Sequence, residues 1–116
     1  MSFHNSCRDI HLAFENDSTM LCCVARDCQG AIHHRKICLD VHIGNTDGYP
    51  HRSGWFIWGG ENFTESAHDI RLEHTDRGPK LTAQLRMANG GYRERQGIFL
   101  ADKIANEDGH LRFLGP

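Results

Sequence analysis

The chain has 116 residues, with 13 basic and 15 acidic side chains and a formal net charge of −2. This length allows one modest hydrophobic core, and the absence of a basic excess argues against nucleic acid as a partner. No apolar run approaches the roughly 18 residues that a membrane-spanning helix needs, so no membrane partner is expected. The N-terminal sequence M-S-F-H-N-S-C has neither the charged nor the apolar region of a signal peptide. It predicts a cytoplasmic location, with unconventional export left open.

The opening stretch of the chain occurs twice. Residues 3–12, F-H-N-S-C-R-D-I-H-L, return at 63–72 as F-T-E-S-A-H-D-I-R-L, at an offset of 60. The same offset aligns 21–30 with the later chain, and an offset of 61 aligns 37–48 with 98–109. A register that holds through three blocks is typical of a duplicated unit. We therefore predict a tandem repeat, with one copy at about 1–50, a connector at about 49–61 and the second copy at about 62–116.

The first elements of each copy are predicted as strands. Ile10, Leu12 and Phe14 alternate with polar residues, and residues 81–85 repeat the alternation in the second copy. A period of two buries one face of a strand and leaves the other in water. Gln-Gly at 29–30 then marks a turn. These patterns predict an all-β fold.

A second repeated motif, L-x-x-x-I-x-N-x-D-G, spans 39–48 and 100–109. The spacing of Leu39 and Ile43 places both side chains on one side of a single helical turn. Asp-Gly is expected to end that turn, because glycine adopts the left-handed conformation at low cost. The motif therefore predicts a short helical turn in each copy.

The connector contains both tryptophans, Trp55 and Trp58, between glycines and a proline. Such aromatic side chains can stack on sugars, but more often they pin a hairpin onto a core, which is the interpretation favoured here. A protein-interaction module that uses this Trp-rich connector as its contact surface is the alternative function.

One cluster resembles a binding site for a soft metal, and its members are Cys22, Cys23, Cys28, His33, His34 and Cys38. Structural zinc sites usually show two tight pairs of ligands, a spacing that is absent here. The second copy also has Ala83, Ala88 and Phe99 opposite three of the cysteines, and Arg93 opposite His33. We therefore predict no metal and no other cofactor, and interpret the five cysteines as reduced, small buried hydrophobic residues.

No catalytic residue is predicted. The chain has no G-x-S-x-G, P-loop or H-E-x-x-H motif, and its nine histidines are scattered. Glu65 and Asp47 could be imagined as a glycosidase pair, but the repeat places Asn5 opposite Glu65. The sequence therefore does not predict an enzyme.

These motifs resemble the cyanovirin-N homologues, especially their fungal members. The resemblance rests on the duplicated F-x-x-S/T opening, the N/Q-G turn, the L-x-x-x-I-x-N-x-D-G block, and W-G-G-E-N-F-T-E-S-A-x-D-I at 58–70. It implies an all-β, two-lobed, pseudo-symmetric domain that is a monomer or a domain-swapped dimer. Each lobe would combine a three-stranded sheet with a hairpin, drawn from both halves of the chain. It also implies that no disulfide forms, because Cys7 would face Ala25, and Ala67 would face Leu85, where the founding member has its bridges.

The resemblance further implies that the chain is a lectin for mannose-rich oligosaccharides or mannose disaccharides, with up to one shallow site per lobe. Carried over by position, one site would use Asn45, Thr46, Asp47, Asn62, Glu65, Ser66 and Arg86. The other would use Asn5, Ser6, Arg26, Asn106, Glu107 and Asp108. The site that contains Glu65 is expected to bind more tightly, because a carboxylate accepts stronger hydrogen bonds than an amide and because Asp27 would divert Arg26.

Overall fold

A computed structural model describes residues 3–45, 54–87 and 90–115. In these residues the chain forms the strands β1 (Cys7–Glu15), β2 (Ser18–Arg26), β3 (Ile32–Cys38), β4 (Ile43–Asn45), β5 (Phe56–Trp58), β6 (Ala67–Thr75), β7 (Gly78–Leu85), β8 (Gln96–Phe99), β9 (Ile104–Glu107) and β10 (His110–Phe113). Short 3-10 turns lie at Phe3–Asn5, Leu39–Val41, Phe63–Ser66 and Leu100–Asp102. Within the described ranges, no helix has the length and apolar character needed to cross a membrane.

Two antiparallel sheets form the body of the molecule, in the orders β1–β2–β3 and β6–β7–β8. Both first strands carry the same irregularity, between Arg8 and His11 in β1 and between His68 and Arg71 in β6. Inside it, Asp9 and Asp69 have positive φ angles of 54° and 56°. The two sheets therefore match in backbone detail at an offset of 60 residues.

Each sheet is completed by a hairpin from the other half of the chain. Hairpin β9–β10 packs against β3, where Arg35 Nε donates to the carbonyl of Gly109 at 2.7 Å. Hairpin β4–β5 packs against the second sheet. We call β1–β2–β3 with β9–β10 the first lobe, and β6–β7–β8 with β4–β5 the second lobe. The all-β, two-lobed fold expected from the resemblance is confirmed.

The hydrophobic core consists of four pairs of residues that the repeat relates. Its fully buried members are Phe3 and Phe63, Leu21 and Leu81, Leu39 and Leu100, and Ile43 and Ile104. Full burial of such a side chain stabilises a fold by about 1.5–3 kcal/mol relative to exposure. The repeated sequence motifs therefore contain the residues that both halves of the chain contribute to one shared core.

The predicted helical turns exist, but Asp-Gly does not end them. Each is a three-residue 3-10 turn, and β4 and β9 begin at Ile43 and Ile104, before the Asp-Gly pair. Asp108 and Gly109 instead form the two-residue turn between β9 and β10, with φ angles of 51° and 87°. Positive φ at both positions is the geometry that hairpin turns of this length favour. The expectation that Asp-Gly ends the helical turn was wrong, because an Asp-Gly pair is typical both of helix ends and of hairpin turns.

The cysteine positions agree with the expectation that no bridge links the first two strands of either sheet. Cys7 pairs across the sheet with Ala25, and Ala67 pairs with Leu85. All five cysteines are free thiols. The thiol of Cys7 hydrogen-bonds to Cys23, and this bond raises the pKa of Cys23 far above its usual range. Cys23 is buried, Cys7, Cys22 and Cys38 are partly exposed, and Cys28 is exposed. The interpretation of the cysteines as buried residues therefore holds for Cys23 and was wrong for Cys28.

Candidate functional site

The strand β4 ends at Asn45, whose side chain joins the two halves of the chain. Its Nδ2 donates to Ser66 Oγ at 3.0 Å and to the carbonyl of Arg86 at 2.8 Å. Its Oδ1 accepts from the backbone N–H of Gly54 at 2.9 Å. Both amide protons are therefore used inside the protein, and Asn45 positions the hairpin against the second sheet.

Asn106 repeats this arrangement in the first lobe. Its Nδ2 donates to Ser6 Oγ at 2.8 Å and to the carbonyl of Arg26 at 2.9 Å, and its Oδ1 accepts from Gly109 N–H at 2.8 Å. The partners are the residues that the repeat places opposite Ser66 and Arg86. The geometry thus gives both asparagines, predicted as sugar contacts, an internal positioning role.

A groove of about 400 Å³ opens beside Asn45 in the second lobe. Its lining is polar throughout and consists of Asn45, Glu61, Asn62, Glu65, Ser66 and Arg86. The structure thus brings together five of the predicted residues and adds Glu61. Thr46 and Asp47, predicted for the same site, lie outside the described residues.

Three of the groove residues present unengaged polar groups. Glu61, Glu65 and Arg86 are exposed, and within the described part of the chain their side chains make no hydrogen bond or ion pair. The groove therefore offers two carboxylate acceptors and one guanidinium donor on a surface held from below by Asn45 and Ser66. Such a surface can share hydrogen bonds with a neutral ligand rich in hydroxyl groups.

Asp40 supports one wall of this groove from beneath. Its side chain is buried and accepts hydrogen bonds from Thr64 N–H at 2.9 Å, Thr64 Oγ1 at 2.5 Å and Thr19 N–H at 2.7 Å. Its carbonyl accepts from the N–H of Asn62, which has a positive φ of 60°. The segment that presents Asn62 and Glu65 is therefore fixed by a residue that sequence reasoning missed. The sequence gives little indication of this role, because the second copy of the repeat has Ala101 at the position that corresponds to Asp40.

The corresponding site of the first lobe is much smaller. A cavity of about 80 Å³ lies beside Asn5, Ser6 and Arg26, with Val24 and Ile32 in its wall. The structure therefore brings together Asn5, Ser6 and Arg26 of the predicted site but leaves little room between them.

The predicted hairpin residues of this site are engaged elsewhere. Asp108 Oδ1 accepts from Cys28 N–H at 2.8 Å, and this bond lowers the pKa of Asp108. Glu107 pairs with Arg112 at 2.5 Å. The expectation that Asp27 would divert Arg26 was wrong. The carboxylate of Asp27 instead accepts a hydrogen bond from His33 Nε2 at 2.9 Å, and this contact lowers the pKa of Asp27.

The suspected metal cluster does not converge. Across residues 3–45, 54–87 and 90–115, no group of three or more His, Cys, Asp or Glu side chains lies close enough to hold a metal ion. His33 is instead bound to Asp27, and Cys28 is exposed.

The two tryptophans of the connector have different environments. Trp58 packs against the core and stacks on Phe113 with ring centroids 5.8 Å apart, as expected for an aromatic that pins a hairpin. Trp55 does not pack into the core: it is 43% exposed, and the Arg93 guanidinium lies 4.4 Å from its ring centroid. The residues at 46–53, which the alternative function would also use, lie outside the described residues.

Comparisons with known proteins agree with this architecture. A sequence profile of the CVNH domain matches residues 3–112. The chain is 37% identical to a cyanovirin-N homologue of Tuber borchii over 113 residues, covering 97% of this chain and 99% of the relative. The solved structure of the Neurospora crassa CVNH superposes with a TM-score of 0.80 at 33% identity, over 97% of this chain and 98% of that one. A microvirin–mannobiose complex superposes with a TM-score of 0.77 at 27% identity, over 97% and 99%.

Proposed function

The chain belongs to the cyanovirin-N homologue family, and on that premise we propose that it binds mannose-containing oligosaccharides through the groove of the second lobe. Homologues in this family are carbohydrate-binding lectins and not enzymes. The observation that carries the proposal is the polar lining of the groove, with Glu61, Glu65 and Arg86 exposed at its surface.

The chemistry of the groove suits a mannose ring. Neighbouring hydroxyl groups on a sugar both donate and accept, so Glu65 can accept from two of them while Arg86 donates to another. Each exposed hydrogen bond contributes only about 0.5–1.5 kcal/mol, or about 1.5–3 kcal/mol when one partner is charged, so several must act together. Asn62, with its side-chain amide exposed beside Glu65, supplies a further pair of polar atoms. The mannobiose complex of microvirin, a structural relative of this chain, supports the choice of a mannose disaccharide as ligand.

The first-lobe cavity is the weaker site in this proposal. Its volume of about 80 Å³ compares with about 400 Å³ in the second lobe. It also contains Asn5 in place of Glu65, so a charged acceptor is missing. In this proposal Asn5, Ser6 and Arg26 form a secondary, weaker sugar site in the first lobe.

A matched pair of variants tests the proposal. Glu65→Ala and Asn5→Ala occupy corresponding positions in the two copies and are both exposed. In a titration with a mannose disaccharide, followed through backbone amide signals, Glu65→Ala should weaken binding by about tenfold or more, since a charged hydrogen bond is lost. Asn5→Ala should leave the main affinity unchanged. A glucose disaccharide serves as the ligand control.

Three results would contradict the proposal. If neither variant alters binding, the sugar does not use the predicted positions in either lobe. If Asn5→Ala abolishes binding while Glu65→Ala has no effect, the first lobe holds the main site. Signals that move only outside both lobes' sites would reject the groove altogether.

A further inference from the structure

A larger groove, of about 750 Å³, lies on the first-lobe sheet; it shares no lining residue with the second-lobe groove and only Val24 with the first-lobe cavity. Strands β1, β2 and β3 all contribute to it, and its lining includes Asp9, Ile10, His11, Cys22, Val24 and His34. The exposed carboxylate of Asp9 makes no hydrogen bond or ion pair with any described residue. The groove therefore combines apolar walls with an unengaged negative charge.

The second lobe shows what occupies the same place on its own sheet. There the side chain of Arg95, which the repeat aligns with His34, lies across the surface and is only 26% exposed. Its Nη2 contacts Asp69 Oδ2 at 2.5 Å, and its Nη1 donates to Thr82 Oγ1 at 3.0 Å. One guanidinium thus bonds acceptors on two neighbouring strands.

The first lobe keeps the carboxylate of this contact but lacks the arginine, and Cys22 stands where the second lobe has the hydroxyl of Thr82. Asp9 is the counterpart of Asp69, and the shared bulge gives the two residues nearly equal φ angles of 54° and 56°. His34 replaces Arg95, and its side chain is shorter and has no guanidinium. The groove is therefore open where the second lobe is filled by its own side chain.

The arginine and the lysine that line the groove each bond a neighbouring group. Lys36 Nζ lies 2.7 Å from Glu15 Oε1, and Arg35 Nε donates to the carbonyl of Gly109 at 2.7 Å. The second lobe also shows that an adjacent cation is tolerated, because Arg71 shares Asp69 with Arg95. The guanidinium of an arginine from outside the chain can therefore approach the carboxylate of Asp9.

We propose that this groove binds an arginine side chain of a partner protein, with the guanidinium on Asp9 and the methylene groups against Ile10 and Val24. The occupant is inferred from Arg95, whose guanidinium makes the equivalent contact with Asp69 within the chain. Arginine is preferred to lysine because its planar fork can bond both oxygens of one carboxylate at once, whereas an ammonium acts as a point charge.

The test uses the full chain and the blocked tripeptide acetyl-Gly-Arg-Gly-amide. Its titration should shift the amide signals of residues around Asp9 and His34. The matched citrulline peptide, which has the same shape without the charge, should bind about tenfold more weakly or worse. The lysine peptide should also bind more weakly than the arginine peptide. Equal binding of the arginine and citrulline peptides, or shifts confined to other surfaces, would overturn the proposal.

Variants of the chain give a second line of evidence. Asp9→Asn should abolish peptide binding and still fold, since asparagine accepts a positive φ as readily as aspartate. His34→Arg should also abolish it, because the groove would then hold its own arginine. His34→Gln, which adds no charge, is the control and should retain binding. If His34→Arg binds the peptide as the parent chain does, the proposal is wrong. Mannose titrations should be unaffected by all three changes, which separates this groove from the sugar site.

Discussion

Asp40 shows how a single buried residue distinguishes the two copies of the repeat. Its carboxylate is 4% exposed and fixes Thr19 and Thr64 from the two halves of the chain. The equivalent positions in the other junction are Ala101, Pro79 and His4, which cannot form this network. There, within the described residues, His4 Nδ1 is buried without a hydrogen-bond partner. The polar junction therefore exists only beneath the second-lobe groove.

Asp40→Ala is expected to lower the free energy of unfolding by about 2–5 kcal/mol, because it leaves buried N–H and hydroxyl groups without an acceptor. Urea unfolding measures the loss. Asp102→Ala is the control, since Asp102 is exposed in the corresponding 3-10 turn of the second copy. Equal stability of the two variants would show that the Asp40 network contributes nothing net. At partial urea concentrations, the amides of Asn62 and Thr64 should also lose protection first in Asp40→Ala.

At the scale of elements, an aromatic stack joins the hairpins of opposite lobes. Phe113 of β10 stacks on His42, at a ring-centroid distance of 4.2 Å, and on Trp58 of β5, at 5.8 Å. Burial of His42 disfavours its charged form and lowers its pKa. The stability of this aromatic stack is therefore expected to depend on pH through the His42 imidazole.

The sign of this dependence follows from proton binding. Because the folded-state pKa of His42 lies below the ordinary value of about 6.5, the unfolded chain binds more protons as pH falls through that value. Stability should decrease with acidification until the lowered pKa is passed. His42→Phe should retain the stack and lose less stability than the parent chain between pH 8 and pH 5, as measured by urea unfolding. An identical pH dependence in both chains would contradict this assignment.

At the scale of the whole molecule, the exchange of hairpins makes each half of the chain incomplete. The first half supplies the sheet of the first lobe and hairpin β4–β5 of the second lobe. The second half supplies the sheet of the second lobe and hairpin β9–β10 of the first lobe. Neither half contains both parts of one lobe. A fragment of this size that also lacks its packing partner buries too little apolar surface to fold alone.

Fragments 1–50 and 51–116, between which hairpin β4–β5 is also divided, are therefore expected to be unfolded separately and to assemble as a one-to-one complex when mixed. Circular dichroism and amide dispersion of each fragment and of the mixture measure this. The control is the full chain cut by a protease at an inserted site near residue 50 after folding, which should retain its structure. A fragment that folds by itself as a monomer would contradict the interdependence of the halves.

The sequence predicted the core better than the site, for physical reasons. Buried positions such as Leu21 and Leu81 recur at a fixed spacing and alternate with polar residues, so they are visible in the chain. The roles of Asn45 and Asn106 were hidden because their bonds cross between halves, and one joins residues 80 apart. Glu61 was missed although it directly precedes Asn62 in W-G-G-E-N. The exchange of hairpins came only from the family resemblance, since periodicity reports one buried face but not its partner.

The exchange of hairpins also sets an order of completion while the chain is being synthesised. The first sheet ends at Cys38, yet the hairpin that completes it ends only at Phe113. The strands of the second lobe are all made once Phe99 is reached, because its hairpin β4–β5 precedes its sheet. At about 5–20 residues per second, the first sheet waits several seconds with its inner face uncovered, while the second lobe can close at once. The lobe that begins first is thus the one that finishes last, and its exposed strands are where a nascent chain is most open to wrong pairing.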